Sequence, residues 1–205
     1  MADLKERQPR VDDPRFQRSL GALHEAVIAL LEAQPVENIS ITALVQAAGV
    51  TRPTFYQHFA DVPDAARHVA LARLDAAFVE PVPFPETLQI TADSIFDRVA
   101  AQALPVIEHL ARHRIFYRHV LDGAGTAAFF EEVIAFLAGR FLPDAFDLAS
   151  RKGGATRDDL MTVMASGVMW LIVQWLRDQT SAEAPEAVAR RIAAVSSAMI
   201  GGAGA

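Results

Sequence analysis

The chain has 205 residues, of which 52% are hydrophobic and 21% are charged, and its net charge is −6. These values predict a folded protein with one large or two small cores, and they exclude a chain that is disordered throughout. The absence of cysteine excludes disulfides and thiolate metal sites, and the acidic balance excludes a general polycation that binds nucleic acid by charge alone.

The N-terminal segment lacks the apolar core of a signal peptide. The longest apolar run, Met161 to Leu176, is short for a membrane span and contains polar residues, so it indicates a buried helix. We therefore expect a cytoplasmic protein with no membrane partner. Residues 1–12 carry Lys5, Arg7 and Arg10, which form either a solvated tail or a basic arm that reaches the DNA backbone or minor groove.

The first predicted helix begins after Asp13, which can cap it, with Pro14 at its first position, and it runs to about Ala33. Its apolar residues recur at the spacing of one helical face, so one side of the helix can cover other helices. These residues are Phe16, Leu20, Leu23, Val27, Leu30 and Leu31.

Two short helices are predicted next, with a tight turn between them. Ser40 can cap a helix from Ile41 to Ala48, and Gly49 suits the left-handed residue that often ends a helix. Thr51 can cap the second helix, with Pro53 in its first turn and the Thr54 N–H as the cap partner. The pattern therefore predicts a helix-turn-helix.

The second of these helices has an aromatic inner face. Phe55 and Phe59 are four residues apart and share one side, which leaves the polar residues around the outside. A short helix with a polar outer edge has the size that enters the major groove of B-DNA. We therefore predict a DNA-binding surface formed by Ser40, Thr42, Thr51, Arg52, Pro53, Thr54, Tyr56, Gln57 and His58.

Three segments strengthen this prediction: Ile39-Ser40-Ile41, Ala48-Gly49-Val50-Thr51-Arg52 and Thr54-Phe55-Tyr56-Gln57-His58-Phe59. They closely resemble the helix-turn-helix signature of the tetracycline-repressor-like (TetR/AcrR) transcription regulators. The resemblance implies an all-α homodimer with an N-terminal three-helix DNA-binding domain and a larger C-terminal domain for dimerisation and a small ligand. It also implies DNA contacts, mostly to phosphates, at Thr42, Thr51, Arg52, Thr54, Tyr56 and His58.

The chain departs from the family pattern at three positions. Val45 stands where alanine is usual, Pro53 where glycine is common, and Val62 where a lysine commonly contacts phosphate. The change at Val62 removes a positive charge and should flatten the salt dependence of DNA binding. Pro53 alters which base edges can be approached, so no operator sequence is implied.

A fourth helix is predicted from Asp61, its cap, to about Val79, and three prolines in residues 80–85 then prevent a helix. We therefore predict a helix-turn-helix domain at 1–60, a connecting helix at 61–80 and a C-terminal ligand-binding and dimerisation domain at 81–205. The C-terminal domain has only helical patterns, and Pro105 should kink or split the first of them.

The last two predicted helices are the candidate dimer surface. The helix from Arg157 to Gln179 is apolar around more than one stripe, so it needs cover on two sides. A second copy can supply that cover in a two-fold four-helix arrangement, and the alternative is a fully internal helix in a monomer. The predicted interface residues are Leu160, Val168, Leu171, Trp175, Val188, Ile192, Val195 and Met199.

The middle helices mix aromatic rings with a few polar atoms, as small-molecule sites do, although phenylalanines at helical spacing also form ordinary cores. The candidate pocket residues are Phe96, His109, His113, Phe116, Tyr117, Phe129 and Met164. His109 and His113 are four residues apart and could hold a metal ion, but no third ligand is evident in fixed register, so we expect no metal or cofactor. These two histidines can instead hydrogen-bond a ligand.

No catalytic motif is present: the chain has no cysteine, no G-x-S-x-G and no phosphate-binding loop, so we expect a protein that is not an enzyme. The sequence predicts a ligand-responsive transcriptional regulator, a repressor, that binds a palindromic operator in double-stranded DNA as a homodimer. Its effector would be a small, partly apolar molecule. The alternative is an all-α protein-interaction module whose helix-turn-helix no longer binds DNA.

Overall fold

The computed structural model describes residues 13–79, 91–140, 154–178 and 183–201, together with Phe146, Ser150 and Thr180. Within these residues the chain is all-α, as predicted, with nine α-helices, one 3-10 turn and no strand. The helices are α1 (Pro14–Ala33), α2 (Ile41–Ala48), α3 (Arg52–Tyr56), α4 (Val62–Asp75), α5 (Ala92–Arg112), α6 (Arg114–Gly123), α7 (Ala127–Ala138), α8 (Arg157–Arg177) and α9 (Pro185–Gly201), and the 3-10 turn is Val36–Asn38.

The described residues form two compact units. The first contains those up to Ala70 together with His119–Ala124, and the second contains those in Leu71–Arg118 and from Gly125 onward. The sequence pattern gave no sign that residues 119–124 belong with the N-terminal helices. The predicted arm at 1–12 and the proline-rich segment at 80–85 lie outside the described residues.

The first unit is organised around α1. The Asp13 carboxylate accepts a hydrogen bond from the Arg15 N–H at 2.8 Å, so the predicted cap is present. Leu23, Val27 and Leu31 are buried, and α1 packs against α2. The inward stripe of α1 therefore covers the helix-turn-helix, as its periodicity predicted.

The last turn of α6 completes this unit. The His119 Nδ1–H donates to the Leu31 carbonyl oxygen at 2.7 Å, across 88 positions of sequence. A Cβ at Gly123 would lie 2.7 Å from the Cβ of Val36, closer than two side chains can approach. Glycine is therefore required at Gly123 for the end of α6 to reach the 3-10 turn.

In the second unit, α9 packs along α5, and α8 packs against α7 and α9. Thr91 and Ser94 form a reciprocal capping box at the start of α5. Pro105 lies inside α5, which continues as one helix to Arg112, so the predicted split does not occur. Thr156 caps α8 by accepting from the Asp159 N–H at 3.1 Å, as predicted.

Among the described helices, α8 is the one whose length and apolar composition would suit a membrane span, and core helices of globular proteins share these properties. Met164, Ala165 and Val168 of α8 are buried within the second unit, whereas Val163 and Trp170 are exposed. The helix therefore packs into its own unit on one side and leaves apolar residues exposed on another.

Candidate functional site

The turn between α2 and α3 is fixed by three local hydrogen-bonding features. Ser40 Oγ accepts from the Ala43 N–H at 3.1 Å, and Thr51 Oγ1 accepts from the Thr54 N–H at 3.3 Å, which confirms both predicted caps. Gly49 has φ 63° and ψ 29°, the left-handed conformation that glycine adopts without strain. The helix-turn-helix geometry is therefore set by residues within the motif itself.

The short helix α3 has one buried side and one exposed side. Phe55 is 0% exposed and Phe59, just beyond the helix, is 3% exposed, so both rings point into the first unit, as predicted. Tyr56 is 56% exposed. The other exposed side chains along this edge are those of Thr51, Arg52, Pro53 and Gln57, with Thr54 half-buried.

The side chains of this edge are connected to one another by hydrogen bonds. The Arg52 guanidinium donates to Thr42 Oγ1 at 2.7 Å, which joins the start of α3 to α2. The hydroxyl groups of Thr51 and Thr54 lie 2.9 Å apart. The structure thus places Thr42, Arg52 and the two threonines together, with Arg52 held in a defined position at the surface.

His58 differs from the other predicted DNA-binding residues. Its side chain is half-buried, its Nε2 lies 2.8 Å from Ser19 Oγ, and its ring centroid is 4.1 Å from that of Phe16. The expectation that His58 lies on the outside is corrected, because its ring packs against α1. Its position two residues after Tyr56 did not reveal this contact, since the helix ends at Tyr56 and the periodicity no longer applies.

The position of Val62 explains why the chain has valine where a lysine is common. Its side chain is 7% exposed at the start of α4, within the core of the first unit. The Asp61 carboxylate caps this helix, as predicted, by accepting from the Asp64 N–H at 2.7 Å. In this chain, position 62 therefore contributes to packing.

Three histidines surround Phe59 in the first unit. The His24 and His68 ring centroids are 5.4 Å apart, and the Phe59 and His68 centroids are also 5.4 Å apart. Burial, followed by repulsion from His68 and His58, lowers the pKa of His24 below 6.5, and burial and His68 lower the pKa of His58. The rings of His24 and His58 are therefore neutral in the folded domain at neutral pH.

This cluster predicts that the N-terminal unit loses stability in acid. The unfolded chain keeps histidine pKa values near 6.5, so below that pH it binds protons that the folded unit resists, and the stability present above pH 6.5 falls as the pH decreases. Amide hydrogen exchange of α1 and α4 should accelerate between about pH 7 and about pH 5 beyond the intrinsic change. His24→Phe, which keeps a ring and removes the titration, should weaken this dependence; an unchanged dependence in this variant would contradict the prediction.

Four of the predicted pocket residues, His109, His113, Phe116 and Tyr117, form a cluster with Arg73 in the second unit. His109 Nε2 lies 2.9 Å from Tyr117 Oη, and Arg73 Nη2 lies 2.9 Å from His113 Nδ1. The Arg73 guanidinium also lies over the Phe116 ring at 4.8 Å. Of the seven predicted residues, four are buried: Phe116, Tyr117, Phe129 and Met164. The other three, Phe96, His109 and His113, are half-buried. This distribution is the pattern of a core.

Burial controls the ionisation of this cluster. Burial, with further contributions from His113, Arg73 and Arg112, lowers the pKa of His109 to about 4. Burial raises the pKa of Tyr117 well above its ordinary value. At neutral pH, His109 and Tyr117 are thus both uncharged, and one neutral hydrogen bond joins them.

His109 and His113 have ring centroids 4.9 Å apart. In the part of the chain that the structure describes, no group of three or more His, Asp, Glu or Cys side chains could hold a metal ion. Both rings already have hydrogen-bonding partners in Tyr117 and Arg73. Their arrangement is that of a structural polar network between the start of α6 and the end of α4.

The second unit contains a cleft at a different place from the predicted pocket. It leaves a cavity of about 40 Å³ between α5, α7, α8 and α9, with Phe78 and Val79 at its edge. None of the seven predicted pocket residues is among the described residues that line this cleft, so the cleft is a second candidate site beside the predicted one. Val168 and Ile192, predicted at a dimer interface, line it instead.

The candidate dimer surface also changes. Val168, Trp175, Val188 and Ile192 are 0–3% exposed within their own subunit, and Leu160 and Leu171 are half-buried, so the first four cannot contact a second copy without unfolding. Val195 and Met199 are exposed, as an interface requires.

The large apolar residues exposed on α8 are Val163, at 58%, and Trp170, at 52%, which are not among the predicted interface residues. Their spacing of seven residues was the available signal.

The N-terminal unit is similar to a known protein family. Residues 23–61, from the middle of α1 to the start of α4, match the family described as bacterial regulatory proteins, tetR family. No curated protein matches the chain. Among solved structures, the chain is similar to NalD, the secondary repressor of the MexAB-OprM multidrug efflux pump in Pseudomonas aeruginosa, with 17% identity, coverage of 86% of this chain and 92% of that chain, and a TM-score of 0.47.

The family match covers the residues that build the capped turn, the buried aromatic side of α3 and its exposed polar edge. Residues 23–61, and with them the helix-turn-helix, are therefore similar to the N-terminal domain of the tetR family of bacterial regulatory proteins.

Proposed function

We propose that the chain is a cytoplasmic, ligand-responsive transcriptional repressor that binds a palindromic operator as a homodimer. The observation that carries this proposal is the orientation of α3: Phe55 is fully buried while Arg52, Tyr56 and Gln57 are exposed along one edge. A short helix in this orientation can enter a major groove with its polar edge toward the bases and phosphates.

The exposed side chains suit different parts of a DNA duplex. The Arg52 guanidinium can donate to a phosphate or to a guanine edge, and the hydroxyl of Tyr56 and the amide of Gln57 can bond to phosphate oxygens or base edges. Arg15 is also exposed and lies one helical turn before Ser19, the residue that contacts His58 beside α3. We therefore add Arg15 as a candidate phosphate contact.

The exposed apolar residues of α8 and α9 support the homodimer. Val163 and Trp170 lie seven residues apart on α8, and Val195 and Met199 lie four apart on α9. Each pair therefore occupies one side of its helix. A two-fold axis would bring the same apolar stripes of two copies together, which is the usual geometry of a symmetric dimer. The predicted interface is thus kept at Val195 and Met199 and extended to Val163 and Trp170.

The helix α4 supports the response to a ligand. It is continuous from Val62, which is buried in the first unit, to Asp75, which belongs to the second. A small molecule in the cleft that prefers one position of the end of α4 would shift the population of DNA-binding conformations. The size of this shift is limited by the difference between its affinities for the two conformations.

Electrophoretic mobility shift with the DNA upstream of the chain's own gene tests the proposal. The wild-type chain should shift this DNA at low salt, and Arg52→Ala should weaken binding by about 1–3 kcal/mol, or about 5- to 150-fold, for each half-site. Arg112→Ala removes the same charge from an exposed position in the second unit and should leave the affinity unchanged. The absence of a shift by the wild-type chain would reject DNA binding and favour the interaction module. A shift by the wild-type chain with equal affinity of the two variants would reject the DNA contact assigned to Arg52.

A further inference from the structure

The described part of the cleft in the second unit has a mainly apolar wall. Of the twelve described residues that line it, ten are apolar, and the other two are Gln102 of α5 and Arg140, which follows α7. A guanidinium and a carboxamide are the side chains that hydrogen-bond a carboxylate, and a guanidinium does so with two parallel N–H donors. Among the described lining residues, none is acidic. Its chemistry therefore fits a molecule with an apolar body and one anionic end.

Arg140 is held in place by aromatic rings. Its guanidinium lies 4.8 Å from the centroid of the Phe136 ring and 5.7 Å from that of Phe78. Stacking of this kind orients the planar group and keeps its N–H donors at the edge of the plane. Arg140 therefore loses less conformational freedom on binding an anion than a free arginine would.

Arg140 already binds one carboxylate, that of Asp75, the last residue of α4. The two side chains are 35% and 51% exposed. Ion pairs as exposed as this one contribute little net stability. A carboxylate delivered into the cleft by an apolar body can replace Asp75, because burial of the apolar body supplies the additional free energy.

We propose that the effector is a small, mainly apolar carboxylic acid whose carboxylate binds Arg140 and Gln102 and displaces Asp75 from Arg140. This inference rests on the proposed regulatory function and adds the ligand class and the first step of the response. Displacement of Asp75 removes a contact between the end of α4 and the second unit. Because the start of α4 is packed in the DNA-binding unit, the ligand and the DNA become thermodynamically coupled through this helix.

The volume of the cleft restricts the effector. A single water needs roughly 10–15 Å³ of such space, so the cavity of about 40 Å³ holds about three waters. A short aliphatic acid is nearest to this size, and a longer or aromatic acid requires the lining side chains to move apart. A drug-sized molecule would have to separate the helices.

Isothermal titration calorimetry of the full chain with matched acids and amides tests this inference. The probes are butanoate, hexanoate, octanoate and benzoate, each compared with its primary amide, which keeps the apolar body and removes the charge. At least one acid should bind about tenfold or more tightly than its amide. Arg140→Gln should abolish this preference while amide binding persists, which shows that the cleft remains folded.

Asp75→Asn provides the decisive second variant. It removes the competing charge, so the acid should bind several-fold more tightly than to the wild-type chain, whereas a purely structural role of Asp75 predicts equal or weaker binding. Equal affinity for acid and amide, no binding of any acid, or no gain in Asp75→Asn overturns the inference. The mobility shift of DNA is measured on the same samples without acid. If the chain binds DNA but does not prefer acid over amide, only the effector class is rejected. If the chain prefers acid over amide but does not bind DNA, only the regulatory function is rejected.

Discussion

Phe55→Ala should unfold or severely destabilise the N-terminal domain and abolish DNA binding. The Phe55 side chain is fully buried, and its ring packs against that of Phe59 at a centroid distance of 5.8 Å. Removing a buried phenylalanine ring costs about 3–5 kcal/mol, which is a large part of the stability of a small domain. Urea denaturation followed by far-UV circular dichroism should show an early loss of helix that the wild-type chain lacks.

Tryptophan fluorescence can show whether the loss of stability in Phe55→Ala is confined to the first unit. Both tryptophans, Trp170 and Trp175, lie in α8, so their fluorescence reports on the second unit alone. In Phe55→Ala the fluorescence midpoint should stay near that of the wild-type chain. Tyr56→Ala is the matched control, because Tyr56 is the exposed neighbour: it should lose DNA affinity while keeping the wild-type denaturation curve. A loss of stability in Tyr56→Ala, or none in Phe55→Ala, would contradict the proposed orientation of α3.

Trp170→Glu should convert the proposed homodimer into a monomer. Trp170 is 52% exposed on the outer side of α8, beside the exposed Val163. A buried tryptophan at an interface contributes on the order of 2 kcal/mol or more, and two-fold symmetry applies the substitution twice, so dissociation should increase about a thousandfold. Light scattering at micromolar concentration should then give the monomer mass of 22.2 kDa.

Ile115→Glu is the control for this substitution. Ile115 is 58% exposed on α6, so it introduces the same charge at an apolar surface residue that we do not assign to the interface. Its mass should equal that of the wild-type dimer. A monomeric wild-type chain at the same concentration would reject the homodimer, and a dimeric Trp170→Glu would reject this face of α8.

The helix-turn-helix was predictable to the residue because its determinants are local. Ser40 and Thr51 each cap a helix through an N–H three residues away, and Gly49 adopts the left-handed conformation that its position requires. These interactions span one helical turn. The alternation of the buried Phe55 and the exposed Tyr56 follows from the period of the helix.

The faces of the C-terminal helices were less predictable. The helix α8 is apolar on several sides, and its sequence does not state which side meets the cleft, the core or a partner. Val168 and Trp175 were expected at the dimer surface and are buried within the subunit, whereas Trp170 was not selected and is exposed. In such a helix the contacts of the neighbouring helices, which come from distant parts of the sequence, decide each residue's environment.

The candidate ligand site shows the same limit. Aromatic residues and histidines of α5 and α6 suggested a pocket, but they fill the space between helices and satisfy one another, as His109 does with Tyr117. The cleft is lined instead mainly by aliphatic residues, together with Phe78, Gln102 and Arg140, and their positions along the sequence show no motif. A cavity is a property of how helices pack, so residue types alone do not locate it.

The sequence by itself determined the all-α class, most helix starts, and the DNA-binding motif with its buried and exposed edges, because caps, glycine conformation and helical period act within a few residues. Only the tertiary structure decided that His58 contacts Ser19, that Val62 is a core residue, that residues 119–124 complete the N-terminal unit, and that Arg140 binds Asp75 beside an apolar cleft. Each of these features depends on contacts between residues distant in sequence, and such contacts depend on how the helices of each unit pack.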